Sequence, residues 1–383
     1  MISGKPELIR RINRTLLLDL LRREGPLSRS DLAVRSGMSL PAVSRAVAEL
    51  VVGGAVSEIG TGSSSGGRRP ILLQFNPRSQ LIISVDVTPL RLLGAVADLS
   101  GELVETVSET PRALGLPLLE QVAGFIEGLI SRVQAAGGSL VGIGVAVPGI
   151  PDPAGMVVRY APAVEWQEVP AGRVLRERFP YPVVIQNDVD ALLLGERWRG
   201  AAAGVRHAVA VIVGSGVGAG VLVDGRLYRG RDGAVGEIGY WLTDDPGQEP
   251  LPRSAGRLER DISLTTLARR WAEPSGQEAH VADFIEQALG GDPTARKIVM
   301  AAARQAGTVI CNLVTLLNPE IVIFGGAALR LQPLILPEIN AMVERHTLYP
   351  VPVVAAQLGE ASALIGGVVG VLEQQRSSVS YVG

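Results

Sequence analysis

The stretch GSGVGAGVLVDGRLYRGRDGAVGEIGYW, residues 214–241, decides how this chain folds. It follows an apolar run, HAVAVIV (207–213), and its own GAGVLVDG reads as a second strand. The glycines therefore sit between two strands. They do not form a Walker loop, which needs Gly-Lys-Ser/Thr, nor a Rossmann fingerprint, in which a helix follows. Their backbone N–H groups suit an anion nest, which makes Gly214, Gly216 and Gly218 candidate phosphate-facing positions. At the far end, Gly236 and Gly239 flank Glu237, so a backbone free of side chains presents one carboxylate to a ligand.

Working outward, the grammar of that stretch occurs twice. LIISVDV (81–87), LLGAVAD (92–98) and ELVETVSE (102–109) read as a β-meander. A helix over 117–136, the buried-looking strand LVGIGVAVPG (140–149), a helix near 172–179, the strand PVVIQND (182–188) and a helix over 189–199 follow. The second round runs from HAVAVIVGSG through GAGVLVDG and further helices to IVIFGG (321–326) and a final helix from Ala361. Three strands followed by alternating helix and strand, twice over, predict an α/β body of two duplicated lobes with a cleft between them. FGGAAL (324–329) joins a strand to a helix, where a nucleotide could lie against the helix N-terminus. LIGG (364–367) reads equally as close helix packing. Asn187 and Asp188 end a strand and open a helix, so a carboxylate there either reaches the cleft as a proton acceptor or caps the helix. Glu237 and Glu259 offer charged acceptors to vicinal hydroxyls. His207, His280 and His346 are scattered and form no metal pattern.

The first 72 residues differ from this body. They carry eleven basic residues against six acidic ones, a net of +5, in a chain whose total is −2, so the remainder carries −7. A small basic head on an acidic body points to a polyanionic partner. Glu7 to Arg23 reads as an amphipathic helix with Ile9, Ile12, Leu16, Leu17 and Leu20 recurring at threes and fours, ended by Gly25-Pro26. Ser28 caps a short helix with Asp31 three residues on, Gly37 makes a turn, and Ser39 caps LPAVSRAVAELVVGG, with Leu40, Val43, Val47 and Leu50 inward. This is the helix-turn-helix pattern, and its second helix presents Ser39, Pro41, Ala42, Ser44 and Arg45 to a major groove. VSEIG and RRPILLQF flank TGSSSGG as a β-wing whose Arg68 and Arg69 suit phosphates or a narrow minor groove. The expected division is a winged helix-turn-helix over 1–75, a linker NPRSQ over 76–80 and the two-lobe body over 81–383.

Composition limits the setting. Hydrophobic residues make up 47% of the 383, yet no uninterrupted apolar run approaches the length of a membrane span, and the first residues hold no signal-like stretch. Cys311 has no second cysteine to pair with. A cytoplasmic location without a membrane partner is the expectation.

These pieces resemble one family, the ROK proteins, which comprise repressors, uncharacterised frames and sugar kinases. The resemblance rests on GIGVAVPG (142–149), Gly155, Trp166, IQNDVDALLLGE (185–196), GSGVGAGVLVDGRLYRG (214–230), GAVGEIG (233–239), NPEIVIFGG (318–326) and ALIGG (363–367), in that order. With the head and the wing SSGGRRP it covers nearly the whole chain and resembles the transcriptional branch. It implies a winged helix-turn-helix followed by an actin-like, ribonuclease-H-like sugar-kinase body. It also implies that Gly149, Asn187, Asp188, Glu237, Tyr240 and Glu259 face a sugar, with Asp188 in the place of the kinase base.

Three departures bear on activity. Family kinases begin the body with an Asp-x-Gly-x-Thr phosphate loop, whereas this chain has DVTPL, with Asp86 retained, Thr88 in place of glycine and Leu90 in place of the hydroxyl. The family's zinc-binding histidine is Tyr240 here, and TDDPGQEPLPRSAGRLE (243–259) has no cysteine. A brace for that region is expected instead from Trp241 or from Arg253 and Arg257. The resulting expectation is a sugar-responsive regulator, most simply a repressor, without cofactor or metal. It would bind a palindromic double-stranded operator as a homodimer or dimer of dimers. The competing readings are an ATP-dependent sugar kinase with a regulatory head and a DNA-binding scaffold with an inert cleft.

Overall fold

The computed structural model of the chain describes residues 5–61, 69–243, 256–276 and 278–380. Its first part comprises α1 (Lys5–Glu24), β1 (Leu27–Ser28), α2 (Arg29–Ser36), α3 (Leu40–Val52), β2 (Val56–Thr61) and β3 (Ile71–Phe75), with a three-stranded sheet ordered β1-β3-β2. The Ser28 hydroxyl accepts from the Asp31 amide at 3.1 Å, and the Asp31 carboxylate accepts from the Ser28 amide at 3.0 Å. This reciprocal pair satisfies two donors that a helix start leaves open. Gly37 then turns the chain at φ +69°, a conformation that costs glycine least.

The apolar register differs from the sequence expectation in two places. On α1, Leu17 and Leu21 are the buried residues, while Ile9, Ile12 and Leu16 stay 55%, 40% and 40% exposed. The periodicity was right, but the partner surface extends only under the last turns of α1. On α3, Val43, Ala46, Val47 and Leu50 face the core, and Leu40 stays 48% exposed because the first turn projects beyond it. Ser39 occupies the N-cap position but makes no side-chain cap hydrogen bond.

The next elements are β4 (Leu81–Val87), β5 (Leu92–Asp98), β6 (Leu103–Glu109), α4 (Leu116–Ala135), β7 (Leu140–Val147), β8 (Ile150–Pro151), β9 (Val158–Ala161), β10 (Trp166–Val169), α5 (Ala171–Arg178), β11 (Val183–Asn187) and α6 (Asp188–Arg199). Then come β12 (Ala208–Val213), β13 (Val217–Val223), β14 (Arg226–Leu227), α7 (Arg257–Ile262), α8 (Leu264–Ala272), α9 (Val281–Gly290), α10 (Pro293–Leu317), β15 (Ile321–Gly325), α11 (Gln332–His346), β16 (Val353–Ala355) and α12 (Ala361–Ser380). The two five-stranded sheets are ordered β11-β7-β4-β5-β6 and β14-β13-β12-β15-β16. Each has an antiparallel meander on one side and two parallel strands on the other, so they share one topology. In the second copy the third strand shrinks to two residues after the Asp224-Gly225 turn. The strand β13 already starts at Val217, so the glycine turn is confined to Gly214–Gly216 and Gly218 lies inside a strand. FGGAAL leads first into a 3-10 turn, Ala327–Leu331, and the α-helix begins only at Gln332.

Between the lobes, α12 packs on β4, β7 and β11 while α6 packs on β12 and β13. The two helices meet backbone to backbone: a Cβ on Gly195 would strike the Ser362 carbonyl, and one on Gly366 the Ala191 carbonyl. LIGG is thus helix packing. Fully buried Glu196 clamps this junction by accepting from the Ala201, Gln357 and Leu358 amides at 2.8, 3.1 and 2.9 Å and from the Ser362 hydroxyl at 2.7 Å. Among the described residues, α10 is long and apolar enough to span a membrane by length and composition, yet 56% of its apolar window is buried in the protein. Its inner face, including Cys311, lines the largest core cluster.

Candidate functional site

Asp188, Glu237, Tyr240 and Glu259 come close enough to shift one another's pKa, and Asn187, beside Asp188, is bonded to Gly149. Each arrives by a local device. Asn187 ends β11 and is the cap of α6, its side-chain oxygen accepting from the Val189 and Asp190 amides at 2.9 and 3.1 Å. Its Nδ2 donates to the Gly149 carbonyl at 2.9 Å, tying the helix start to the end of β7. The capping role therefore falls to Asn187, which leaves one oxygen of Asp188, the first helical residue, clear of its contact with the Val189 amide. Gly149 is required by close approach, since a Cβ there would strike the Tyr160 carbonyl.

Glu237 is carried on a backbone folded tightly over β13. Gly236 has φ +92°, its carbonyl accepts from the Ala219 amide at 2.7 Å, and a Cβ on it would strike the Ala219 carbonyl. Glu259, in the first turn of α7, accepts from the Val217 amide at 3.2 Å. A Cβ on Gly216 or Gly239 would come within 3.2 or 3.3 Å of its carboxylate. The glycine turn after β12 therefore cradles a protein carboxylate at Gly216, while Gly214 faces Ala327 and Gly218 faces Val189 of α6.

Mutual repulsion and burial set the protonation of these half-buried acids. Asp188 is raised to about 8, by burial first, then Asp86, then Glu237. Glu237 is raised to about 7 by burial and by Glu259. Asp86, at the end of β4, is raised to about 6 by burial, against the opposing charge of Arg91. Glu259 is raised by burial in spite of its bond from Val217. Asp188 is therefore biased toward its protonated form, which can donate as well as accept a hydrogen bond. Tyr240 is raised by burial and by its hydrogen bond to the Tyr160 side chain. Tyr160, on β9, is a cleft residue that sequence reasoning missed; it stands outside every motif and arrives through the β8–β9–β10 ribbon.

The DVTPL turn is closed on itself. The Thr88 hydroxyl donates to the Arg91 carbonyl at 2.9 Å and accepts from the Arg91 amide at 3.0 Å, while Leu90 is 81% exposed. Arg91 in turn pairs with Glu360 at 3.0 Å. Near Tyr240, the brace that stands where a metal was expected to be lost is centred on Asp261. It receives Thr243 Oγ1 at 3.2 Å and lies within 4.0 Å of Arg257 and 3.6 Å of Arg270. Trp241 packs on the adjoining core, and Arg253 lies outside the described residues. Beyond Asn187 lies a polar cavity of about 340 Å³ that excludes Asp188, Glu237 and Glu259; Arg229 and Asp190 pair within it at 2.8 Å.

On the head, Ser39, Pro41 and Arg45 are exposed at the start of α3, and Ala42 and Ser44 are half-buried beside them. Arg69 is exposed at the wing's end, whereas Arg68 lies outside the described residues. The basic surplus is partly spent on ion pairs, Arg14 with Glu49 at 3.3 Å, Arg29 with Glu58 at 2.9 Å and Arg35 with Glu24. Among the described residues Arg45 has no carboxylate within 4 Å, which leaves its charge for a partner.

Residues 82–373 match the ROK family model, and residues 10–56 match a winged helix-turn-helix DNA-binding family. The chain belongs to the ROK family. Over 397 residues it is 27% identical to a xylose repressor of Caldicellulosiruptor bescii, covering 99% of this chain and 100% of that protein. A solved ROK family transcriptional regulator, described as a homologue of the E. coli MLC protein, superposes with a TM-score of 0.79 at 22% identity, covering 96% of this chain and 99% of that one. A ROK glucokinase from Streptomyces griseus, solved with glucose and AMPPNP, superposes with a TM-score of 0.67 at 25% identity, covering 76% and 98%. The architecture is a winged helix-turn-helix followed by the actin-like ROK sugar-kinase body.

Proposed function

We propose that this protein is a sugar-responsive repressor of carbohydrate uptake or metabolism genes, cytoplasmic, acting on a palindromic operator as a dimer or dimer of dimers. The head over 1–75 would hold DNA, and the body over 81–383 would hold the sugar. The reading is carried by one observation: a winged helix-turn-helix whose Arg45 has no carboxylate within 4 Å among the described residues is joined to a body in which Asn187, bonded to Gly149, stands beside Asp188, with Glu237 next to Asp188 and Glu259 next to Glu237. Carboxylates and an amide held close together bind vicinal hydroxyls through strong hydrogen bonds. Relatives with this whole-chain arrangement include the xylose repressor of C. bescii.

The cleft is proposed to be without kinase activity. Phosphoryl transfer depends on backbone donors and positive charge around the phosphates. Here the turn after β4 carries Pro89 and Leu90 and spends its hydroxyl on Arg91. Sugar binding would act by favouring one arrangement of the lobes and so shifting the population of DNA-competent dimers.

Thermal-shift screening of free and phosphorylated sugars, with and without ATP, tests this reading. Stabilisation by a sugar irrespective of ATP is expected. Sugar-dependent consumption of ATP would favour the kinase reading instead, which the likeness to the S. griseus glucokinase keeps in view.

A further inference from the structure

Helix α6 reaches from the acid cluster to the head. Its first turn holds Asn187 and Asp188, and its last holds Trp198. The Trp198 indole donates from Nε1 to the Ser100 carbonyl at 2.8 Å, and a Cβ on Gly101 would lie 3.0 Å from that nitrogen, so the β5–β6 turn is closed on the ring. From the opposite side, Arg22 of α1 stacks on the same ring, 4.4 Å from its centroid. The turn also grips the segment that connects head to body: the Leu99 amide donates to the Pro77 carbonyl at 3.1 Å, and Arg78 lies 3.6 Å from Glu102. One indole is thus where the head helix, the connecting segment, the first lobe and α6 meet.

The helix between the two ends is stiff. Gly195, its one glycine, is pressed against the Ser362 backbone, and buried Glu196 ties α6 to α12 and the residues just before it with three hydrogen bonds, from the Gln357 and Leu358 amides and the Ser362 hydroxyl. Since α6 rests on the second sheet and α12 on the first, any closure of the lobes must be taken up along this helix pair. A rigid helix delivers a movement of its first turn to its last, roughly 15 Å away.

We propose that α6 carries the state of the cleft to the DNA-binding head, and that the Arg22–Trp198 stack is the contact through which it passes. The effector's identity rests on the sugar reading above; the mechanical link does not. Arg22 and Trp198 are positioning residues, since neither touches the cleft.

The test uses full-length protein and hydrogen–deuterium exchange, so neither an operator nor an effector need be known. Asp188→Asn in the wild-type background is expected to change exchange by threefold or more both at residues 98–101 and along the last turn of α1. In an Arg22→Ala background the change should reach 98–101 and stop there, and Arg22→Lys, which retains a stacking cation, should restore its passage to α1. Trp198→Ala, which removes both the ring under Arg22 and the bond to Ser100, should uncouple both regions from Asp188. An unchanged response of α1 in Arg22→Ala, or no response at 98–101 to Asp188→Asn, would overturn the proposal. In parallel, D-xylose, D-glucose and N-acetylglucosamine are added to the wild type: failure of all three to bind counts against the sugar reading, while the variant series still decides the link.

Discussion

Each lobe opens with the same β-hairpin, and the two hairpin turns have opposite chemistry. After β4 the turn is built from Thr88, Pro89 and Leu90 and consumes its own hydroxyl. After β12 the turn is glycine, and it admits the Glu259 carboxylate to the Val217 amide. Duplicated topology thus preserves strand order without preserving function. One turn is a bend closed by its own side chain, and the other makes room for a carboxylate from α7. The difference shows that two copies of one hairpin can carry unlike turns, because each turn is set by its own residues.

The sharpest way to break this comparison is to exchange the demands of the two sides. Gly236→Ala puts a Cβ into the Ala219 carbonyl at a positive φ and should cost about 2–4 kcal/mol, with loss of any sugar-induced thermal shift. Thr88→Gly on the other side should cost about 1 kcal/mol, the worth of its hydroxyl bonds, and leave the sugar-induced shift intact; equal costs in calorimetry would mean the turns are not different in kind. Asp188→Ala should weaken sugar binding by more than about tenfold, as loss of a strong hydrogen bond implies, while binding to duplex DNA stays within about fivefold. Titration calorimetry and fluorescence anisotropy read these two effects separately.

Smaller effects sharpen the contrast between spent and free charge on the head. Arg45→Ala should weaken operator binding by about 1–3 kcal/mol if it reads a base, and Arg14→Ala, already paired with Glu49, by much less. A separate effect is on pH dependence. The folded-state value of Asp188 is raised to about 8, above its unfolded value, so the native state binds the extra proton and stability falls as pH rises from about 4 through 8. Asp188→Asn removes that loss. It should raise Tm at pH 8.5 more than at pH 5.5, by about 2–4 °C for each kcal/mol recovered; an equal shift at both pH values would refute the assignment.

Much of this was legible in the chain itself. Periodicity and turn residues placed the helix-turn-helix, its Ser28–Asp31 capping box, the two strands of the wing and the succession of strands and helices along both lobes, because each depends on contacts within a few residues or on a repeated pattern. Motif order pointed to the family. Local reasoning failed where the deciding neighbour was distant. It turned Leu40 inward although α3 begins beyond the core, and of the expected brace residues Trp241, Arg253 and Arg257 it named Arg257 but missed its partner Asp261. It also assigned Gly218 to a loop although that glycine makes room for Val189.

What the sequence determined by itself was therefore the set of elements and the residue types at the cleft, since hydrophobic period, capping and glycine placement are properties of short segments. The tertiary structure decided which acids raise one another's pKa, that Tyr160 joins Tyr240, that Arg45 has no carboxylate within 4 Å among the described residues, and that Trp198 sits under Arg22. Those outcomes depend on distances between groups tens or hundreds of residues apart, and electrostatic coupling and stacking fall off within a few ångströms. No pattern along the chain records such a distance until the backbone has closed around it.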